Sequence, residues 1–340
     1  MKKILVIQTA FLGDVILSTP FFRAVARVFP DARVDALTVP QTKIVFRDSP
    51  FVRRVWTLDK STVFRKTAGL FRLARGLRAE HYDAAFSLQL HATSSFLMAA
   101  AGIRIRVGFR RQKGLTHPVA PPKGLHMRHR YLTLLSPFSD RTFDGRTEMR
   151  WSEAEDRAAD AVTAPLRRAG GPLVGLAPGS VWPTKRWPET HYTALARILS
   201  AEGMALVAVG GPEDRGLCAS VLDGTGSRSL NCAGELSVLE SAAVLSRLDV
   251  LVTNDSAPLH MADAVGTDVI AIFGPTVRRF GCAPWRPGDE VLERDLACRP
   301  CSRHGGRRCP ERHFRCMLDT TPEAVSERVR LHTGSVQRLS

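Results

Sequence analysis

In the stretch TAFLGDVILSTP (residues 9–20) one carboxylate, Asp14, stands between an apolar run and a helical pattern, directly after Gly13. A glycine allows close approach of backbone or ligand, and a helix start offers unpaired N–H groups and the positive end of a dipole. An acid held ionised there and facing a cleft can act as a general base. The same position suits an N-cap, which stabilises a helix and does no chemistry. Position alone leaves both readings open.

Three further stretches have the same strand-to-helix setting. APGSVWPTKRWPE (177–189) offers backbone groups at Gly179, hydroxyls at Ser180 and Thr184, and charge at Lys185 and Arg186. That set suits a phosphate or diphosphate, without the spacing of a Walker loop. A rigid loop packed by Trp182 and Trp187 is the alternative. VGGPEDRG (209–216) places Glu213 and Asp214 after paired glycines, where a carboxylate can accept from a ribose diol or cap a helix; Glu213 is preferred for the ribose. TNDSAPLHMADAVG (253–266) ends a strand on Asn254, Asp255 and Ser256, followed by a helix carrying His260 one turn in. Its amides favour an anion, its acid can hold sugar hydroxyls, and the histidine is a supporting residue.

The elements that must position these loops alternate. Short apolar, β-branched runs at 2–8, 34–39, 55–58 and 84–88 predict strands, and the patterns at 14–29, 68–79 and 94–101 predict helices. Residues 108–130, rich in Pro, Gly and basic side chains, read as a loop, followed by helices at 126–135 and 153–169. Ala169-Gly170-Gly171-Pro172 marks a linker, giving domains 1–169 and 170–340. The alternation restarts with strands at 173–177, 205–209, 250–253 and 269–273, helices between them, and a terminal helix at 322–332. The fold class is α/β, two doubly wound parallel-sheet domains in tandem. Ligands then belong beyond the carboxyl ends of the strands.

Of 340 residues, 44% are hydrophobic and 24% charged, ordinary values for a globular chain. No apolar run approaches the roughly 18–20 residues that span a bilayer, and the N-terminal run is too short and polar for a secretory signal. A cytoplasmic protein is expected. The net charge of +15 lies wholly in residues 1–170, which hold 29 Lys and Arg against 14 Asp and Glu. Residues 171–340 balance at 19 and 19. An anionic partner for the first half is one reading, and a solvated arginine-rich surface is the other.

In order, LGDVILSTP, APGSVWPTKRWP, GGPEDR and NDSAPLHMADAVGTDVIAIFGPT resemble the bacterial family 9 glycosyltransferases, the ADP-heptose:lipopolysaccharide heptosyltransferases, over nearly the whole chain. The second motif and the cysteine-rich tail look most like heptosyltransferase II. The resemblance implies a GT-B fold, two Rossmann-like domains facing across a cleft. It implies inverting, metal-independent transfer from ADP-L-glycero-D-manno-heptose with no cofactor. The acid of the first motif, Asp14, is then the base. Lys185 serves the diphosphate, Glu213 the ribose and Asp255 the heptose, with Ser180, Thr184, Ser256, Ala257 and His260 completing the donor set. The acceptor is a lipid A–Kdo inner core carrying one heptose, which places the protein at the cytoplasmic face of the inner membrane. Gly13 is expected to leave room for the acceptor, and the basic first half to hold its phosphates and carboxylates. Arg53, Arg54, Arg110, Arg111, Lys113, Arg128 and Arg130 are the candidates by charge and loop position.

All seven cysteines follow residue 217, and four read C-x2-C-x7-C-x6-C: Cys298, Cys301, Cys309 and Cys316. Four thiolates would suit structural zinc or iron, with His304 or His313 as substitutes; reduced thiols in a basic loop are the alternative. Three other functions compete with the main reading: heptosyltransferase I or III, a GT-B sugar-nucleotide epimerase or hydrolase, and a nucleic-acid-binding protein. The last lacks a basic motif interleaved with aromatics, so no nucleic-acid partner is expected.

Overall fold

The computed structural model describes residues 1–59 and 67–336. The last four residues of the expected second domain, 337–340, lie outside the described residues. The chain divides into two compact units, Met1–Arg150 and Trp151–Ser340. The division precedes the expected linker at 169–172 because the helix Glu153–Arg168 belongs to the second unit. Arg247 on that unit bonds Asp160 at 2.9 Å and lies 3.1 Å from Asp156, and Arg167 bonds Asp249 at 2.9 Å. Asp249 in turn accepts from the Leu173 N–H at 2.7 Å, so the helix is fastened to the start of the second sheet.

The first unit holds strands β1 (Lys3–Ile7), β2 (Arg33–Thr38), β3 (Arg54–Thr57), β4 (Ala84–Ser87), β5 (Ile105–Phe109) and β6 (His117–Val119). They form one parallel sheet in the order β3-β2-β1-β4-β5-β6. The second unit holds β7 (Leu173–Ala177), β8 (Ala205–Ala208), β9 (Ser229–Asn231), β10 (Val250–Asn254), β11 (Asp268–Phe273) and β12 (Glu290–Glu293). Its sheet is also parallel, in the order β12-β11-β10-β7-β8-β9, which from the other edge is the same order as the first. Each is the doubly wound dinucleotide-type arrangement, with its switch point between the first and fourth strands.

The inner strands β1, β4, β7 and β10 are buried along almost their whole length. Their continuous Val, Ile, Leu and Ala runs are what a sheet covered by helices on both faces requires. In the second unit Val174, Leu176, Leu206, Val252 and Ile270 pack against Tyr192, Leu195 and Leu199 of the helix Glu189–Ala201.

Four strands depart from the expected pattern. β5 and β6 lie inside or overlap the segment expected as a loop, and β9 and β12 close the second sheet. β6, β9 and β12 are edge strands of three or four residues, and β6 contains Pro118, which an edge tolerates because it need not donate to a neighbour.

Candidate functional site

The loop after β7 is folded back onto the end of β10 by one buried amide. Asn254 accepts from the Trp187 N–H at 2.9 Å and donates to the Pro178 carbonyl at 2.8 Å. Trp187 is buried and its indole N–H donates to Thr320 O at 2.9 Å, so the far end of the loop is pinned as well. Arg186 Nε closes the loop on itself through Ser180 O at 2.7 Å. These bonds carry Lys185 to the next residue of the β10 terminus: its Nζ lies 2.6 Å from Asp255 Oδ2. The same carboxylate oxygen accepts from Thr276 Oγ1 at 2.7 Å. Lysine, aspartate and threonine thus meet at the switch point of the second sheet, where ligands of this fold class bind.

Beside them Ser256, in extended backbone, precedes the helix Ala257–Val265. Its first-turn N–H groups have no intrahelical partner and supply anion-binding donors. His260 is buried on that helix. Ser180 is buried in the loop above. Thr184 is engaged differently from the expectation. Its hydroxyl donates to Gly306 O at 3.0 Å and accepts from Gly306 N at 2.7 Å, so its only proton is committed to the cysteine-rich segment. Thr184 is a fastener between two loops, and its hydroxyl has no proton left to donate to a diphosphate.

The two acids of the third motif separate. Asp214 turns inward: its Oδ2 accepts from the Gly211 N–H at 3.1 Å, and a Cβ on Gly179 would come within 2.3 Å of its carboxyl carbon. Burial, reinforced by Glu213, holds the Asp214 carboxyl above the usual carboxylate range, while the Gly211 N–H and Arg186 oppose the shift. Gly179 is therefore required by the seat of Asp214. Glu213 stays exposed.

In the first unit the switch point lies between β1 and β4. Thr9 donates from both its backbone N and its Oγ1 to Gln89 Oε1, each at 3.1 Å, which ties the two strand ends together. Gln112 Nε2 extends the network to Ser87 Oγ at 3.0 Å. Asp14 sits at this end of the sheet, half-buried. The helix begins at Leu12 with Phe11 as the preceding cap residue, two residues earlier than expected, and it breaks at Ser18 into Leu12–Leu17 and Thr19–Val28. Asp14 is the third helical residue, so the N-cap reading fails; the acid still lies in the first turn, where the dipole favours its ionised form. Gln8 Nε2 bonds Asp14 O at 3.3 Å, Gly13 is buried, and Phe11 is 70% exposed beside it.

The seven basic candidates fall into three groups. Arg110, Arg111 and Lys113 are exposed after β5, at the same end of the sheet as Asp14. Arg128 is buried, its stem packed against Gly145, and Arg130 lies 5.0 Å over the Phe109 ring. Arg53 and Arg54 stand at the amino end of β3, a strand's length from the Asp14 end. Arg53 makes a two-point bond to the fully buried Asp35 (2.8 and 2.6 Å) and a third to Glu80, while Arg54 pairs with Glu80 at 2.8 Å and covers Trp56. Their charge is spent on the fold, which corrects their assignment to the acceptor. With the division at residue 150 the charge asymmetry sharpens: unit one carries +16 and unit two −1.

The four cysteines share one segment without forming a metal cage. Cys298 Sγ lies 3.8 Å from His313 Nε2, and Cys301 Sγ lies 3.2 Å from Cys298 O. Among the described residues, no three or more His, Cys, Asp or Glu side chains converge to hold a metal ion. The expectation of structural zinc or iron thus finds no ready-made site, although Cys316 lies close enough to Cys301, Cys309 and Cys298 for their charges to interact. Nor, among the described residues, is any helix long and apolar enough to cross a membrane.

Sequence patterns placed Asn254 at a strand end without giving it a role, and missed Thr276 and Gln89. Each is an ordinary polar residue whose signal is its place at or just beyond a strand end.

Two units, each built on a parallel six-stranded sheet of the same strand order with polar loops at its switch point, give the α/β architecture of the GT-B class. The chain belongs to glycosyltransferase family 9 (heptosyltransferase), which matches residues 70–311. It is 27% identical over 295 residues to lipopolysaccharide heptosyltransferase 3 of Escherichia coli, covering 82% of this chain and 84% of that one. It is 23% identical over 336 residues to lipooligosaccharide heptosyltransferase 2 of Campylobacter jejuni subsp. jejuni serotype O:2, covering 96% and 97%. The solved structure of E. coli ADP-heptose lps heptosyltransferase II has the same fold, with a TM-score of 0.80, 22% identity and full coverage of both chains.

Proposed function

We propose that this glycosyltransferase moves heptose from ADP-heptose to the lipopolysaccharide inner core with inversion, on an acceptor that already carries one heptose, in the cytoplasm at the inner-membrane surface. The observation that carries the reading is the meeting of Lys185, Asp255 and Thr276 at the switch point of a sheet in a family 9 chain. The relatives' names supply the donor and the acceptor class.

In this reading the second unit holds the donor. Lys185, with the amides around Ser180 and Ser256, faces the diphosphate, Glu213 the ribose, and Asp255 the heptose hydroxyls, with His260 behind the helix start. Asp14 takes the proton from an acceptor hydroxyl as its oxygen attacks the anomeric carbon. The bond to the diphosphate breaks on the opposite face, and ADP leaves. Lysine and backbone donors aimed at the leaving oxygens stabilise the charge that grows there, which is where fixed donors accelerate such a reaction most. Arg110, Arg111 and Lys113 are retained for the anionic acceptor, with Arg130 beside them and Arg128 as a buried support. Gly13 leaves the base accessible.

The test is incubation with ADP-heptose and, in separate reactions, Kdo2-lipid A, its mono-heptosylated form or its di-heptosylated form. Extension of the second alone is expected. Extension of the first, or of a longer core only, moves the chain to the first or third heptosyl transfer. Consumption of ADP-heptose with no lipid product contradicts the transferase reading.

A further inference from the structure

The cysteine-rich segment grips the donor loops from two sides. On one side lies the Thr184–Gly306 double bond. Next to it Gly305, at φ +92, lies so close that a Cβ would come 2.8 Å from Trp182 Cβ and 3.1 Å from Lys185 Cγ. The lysine stem is thus packed against this segment.

On the other side is Arg299, whose side chain is 5% exposed. Its Nη2 donates to Thr276 O at 2.8 Å, to Phe273 O at 3.3 Å and to Glu293 Oε2 at 2.9 Å. Its Nε donates to Gly274 O and its Nη1 to Arg294 O. One planar, permanently charged group therefore gathers three carbonyls of the turn that leaves β11, while Glu293 on β12 balances its charge. The Cys301 N–H adds a bond to Pro275 O at 3.1 Å. Every residue of the turn Phe273–Thr276 is held by the segment through its carbonyl. That turn ends in Thr276, 2% exposed, whose hydroxyl donates to Asp255 Oδ2.

We propose that Arg299 is a positioning residue for donor binding: by fixing the Phe273–Thr276 turn it aims the Thr276 hydroxyl at Asp255, and so sets the Asp255–Lys185 pair. Lysine cannot replace it, because one ammonium lacks the fork needed for carbonyls lying in several directions. The inference rests on the donor site assigned above.

The experiment measures ADP affinity by calorimetry and donor KM and kcat for the full chain, with Arg299→Gln, Arg299→Lys, Thr276→Val and Thr276→Ser. Thr276→Val keeps the side-chain shape and removes only the hydroxyl, so it reports on the relay even where Arg299→Gln folds poorly. Tenfold or greater weakening of ADP binding and a matching rise in donor KM are expected for Arg299→Gln, Arg299→Lys and Thr276→Val, with recovery in Thr276→Ser. Arg299→Gln combined with Thr276→Val is expected to be no weaker than the worse single variant, because the two act on one contact. ADP affinity within twofold of wild type in Thr276→Val, or multiplying effects in the double variant, overturns the proposal. A wild-type chain that does not bind ADP overturns the donor-site reading itself; a wild type that binds ADP while Thr276→Val binds it equally overturns only the role of Arg299.

Discussion

Lys185 Nζ stands 2.6 Å from Asp255 Oδ2, with the two side chains 13% and 10% exposed. A largely buried ion pair adds little net stability, because removing both charges from water offsets their attraction. Its use is positional: the pair brings the cation of one loop and the acid of another to a single point at the ends of β7 and β10. On the proposed function, a diphosphate arriving there would exchange one anionic partner of Lys185 for another.

Lys185→Ala is expected to weaken ADP binding by roughly 10- to 100-fold, the size of one hydrogen bond to a charged group. Asp255→Asn is expected to weaken ADP binding as Thr276→Val does, because both disturb the seat of Lys185, and to lower kcat/KM for ADP-heptose further, since Asp255 also faces the sugar. Titration calorimetry with ADP and steady-state kinetics separate the two. Unchanged ADP affinity in Lys185→Ala removes the lysine from the diphosphate.

Asp35 gives a stability prediction remote from the chemistry. Its carboxylate is fully buried, bonded twice by Arg53 and once by the Tyr82 hydroxyl at 2.5 Å. Burial, then the bond to Asp35, raises the Tyr82 phenol well above its ordinary range. Asp35→Ala leaves both donors without their acceptor. The cost is about 3 kcal/mol, the lower end for a broken buried pair, because Arg53 is 37% exposed and rehydrates. A lowered urea midpoint with ADP affinity intact is the expected pattern; loss of ADP binding in a folded variant would contradict it.

The thiols give a pH prediction. Burial pushes Cys218 up to about 12 and Cys232 and Cys316 up to about 11. Only the thiolate is nucleophilic, so these three stay unreactive at neutral pH. Alkylation of the native protein at pH 7.5 is expected at the half-buried Cys298 and Cys309 before these three. Raising the pH populates the thiolate of Cys316, and its labelling is expected to climb about tenfold per pH unit up to pH 10. Mass-spectrometric mapping that finds Cys316 labelled as fast as Cys309 at pH 7.5 contradicts this.

Elements whose residues face apolar surroundings on both sides are legible from the sequence. The runs of β1, β4, β7 and β10 and the helices Glu153–Arg168 and Glu189–Ala201 can be read almost to the residue, because burial on a sheet imposes an unbroken apolar run and burial of one helix face imposes a period. Of the edge strands β3 can be read, at 55–58, but β6, β9 and β12 cannot, since a strand with one neighbour tolerates polar residues or Pro118. The domain boundary is obscured for a related reason. Ala169-Gly170-Gly171-Pro172 is a genuine turn, but whether a preceding helix belongs to one unit or the next depends on pairs such as Arg247–Asp160, distant in sequence. Within the site, loop position and residue type point to Lys185 and Asp255 but carry no sign of their pairing. Charge alone misleads at Arg53 and Arg54, whose partners Asp35 and Glu80 lie 18 and 26 residues away.

On the proposed function Asp14 is the base, and the second unit would hold the donor independently of it. The most direct measurement is transfer by Asp14→Asn from ADP-heptose to the mono-heptosylated Kdo2-lipid A acceptor, with ADP affinity measured on the same protein. The expected result is a fall in kcat of at least about 100-fold, the lower bound for losing a general base, with ADP affinity unchanged. Turnover near wild type, or loss of ADP binding along with activity, would contradict the assignment.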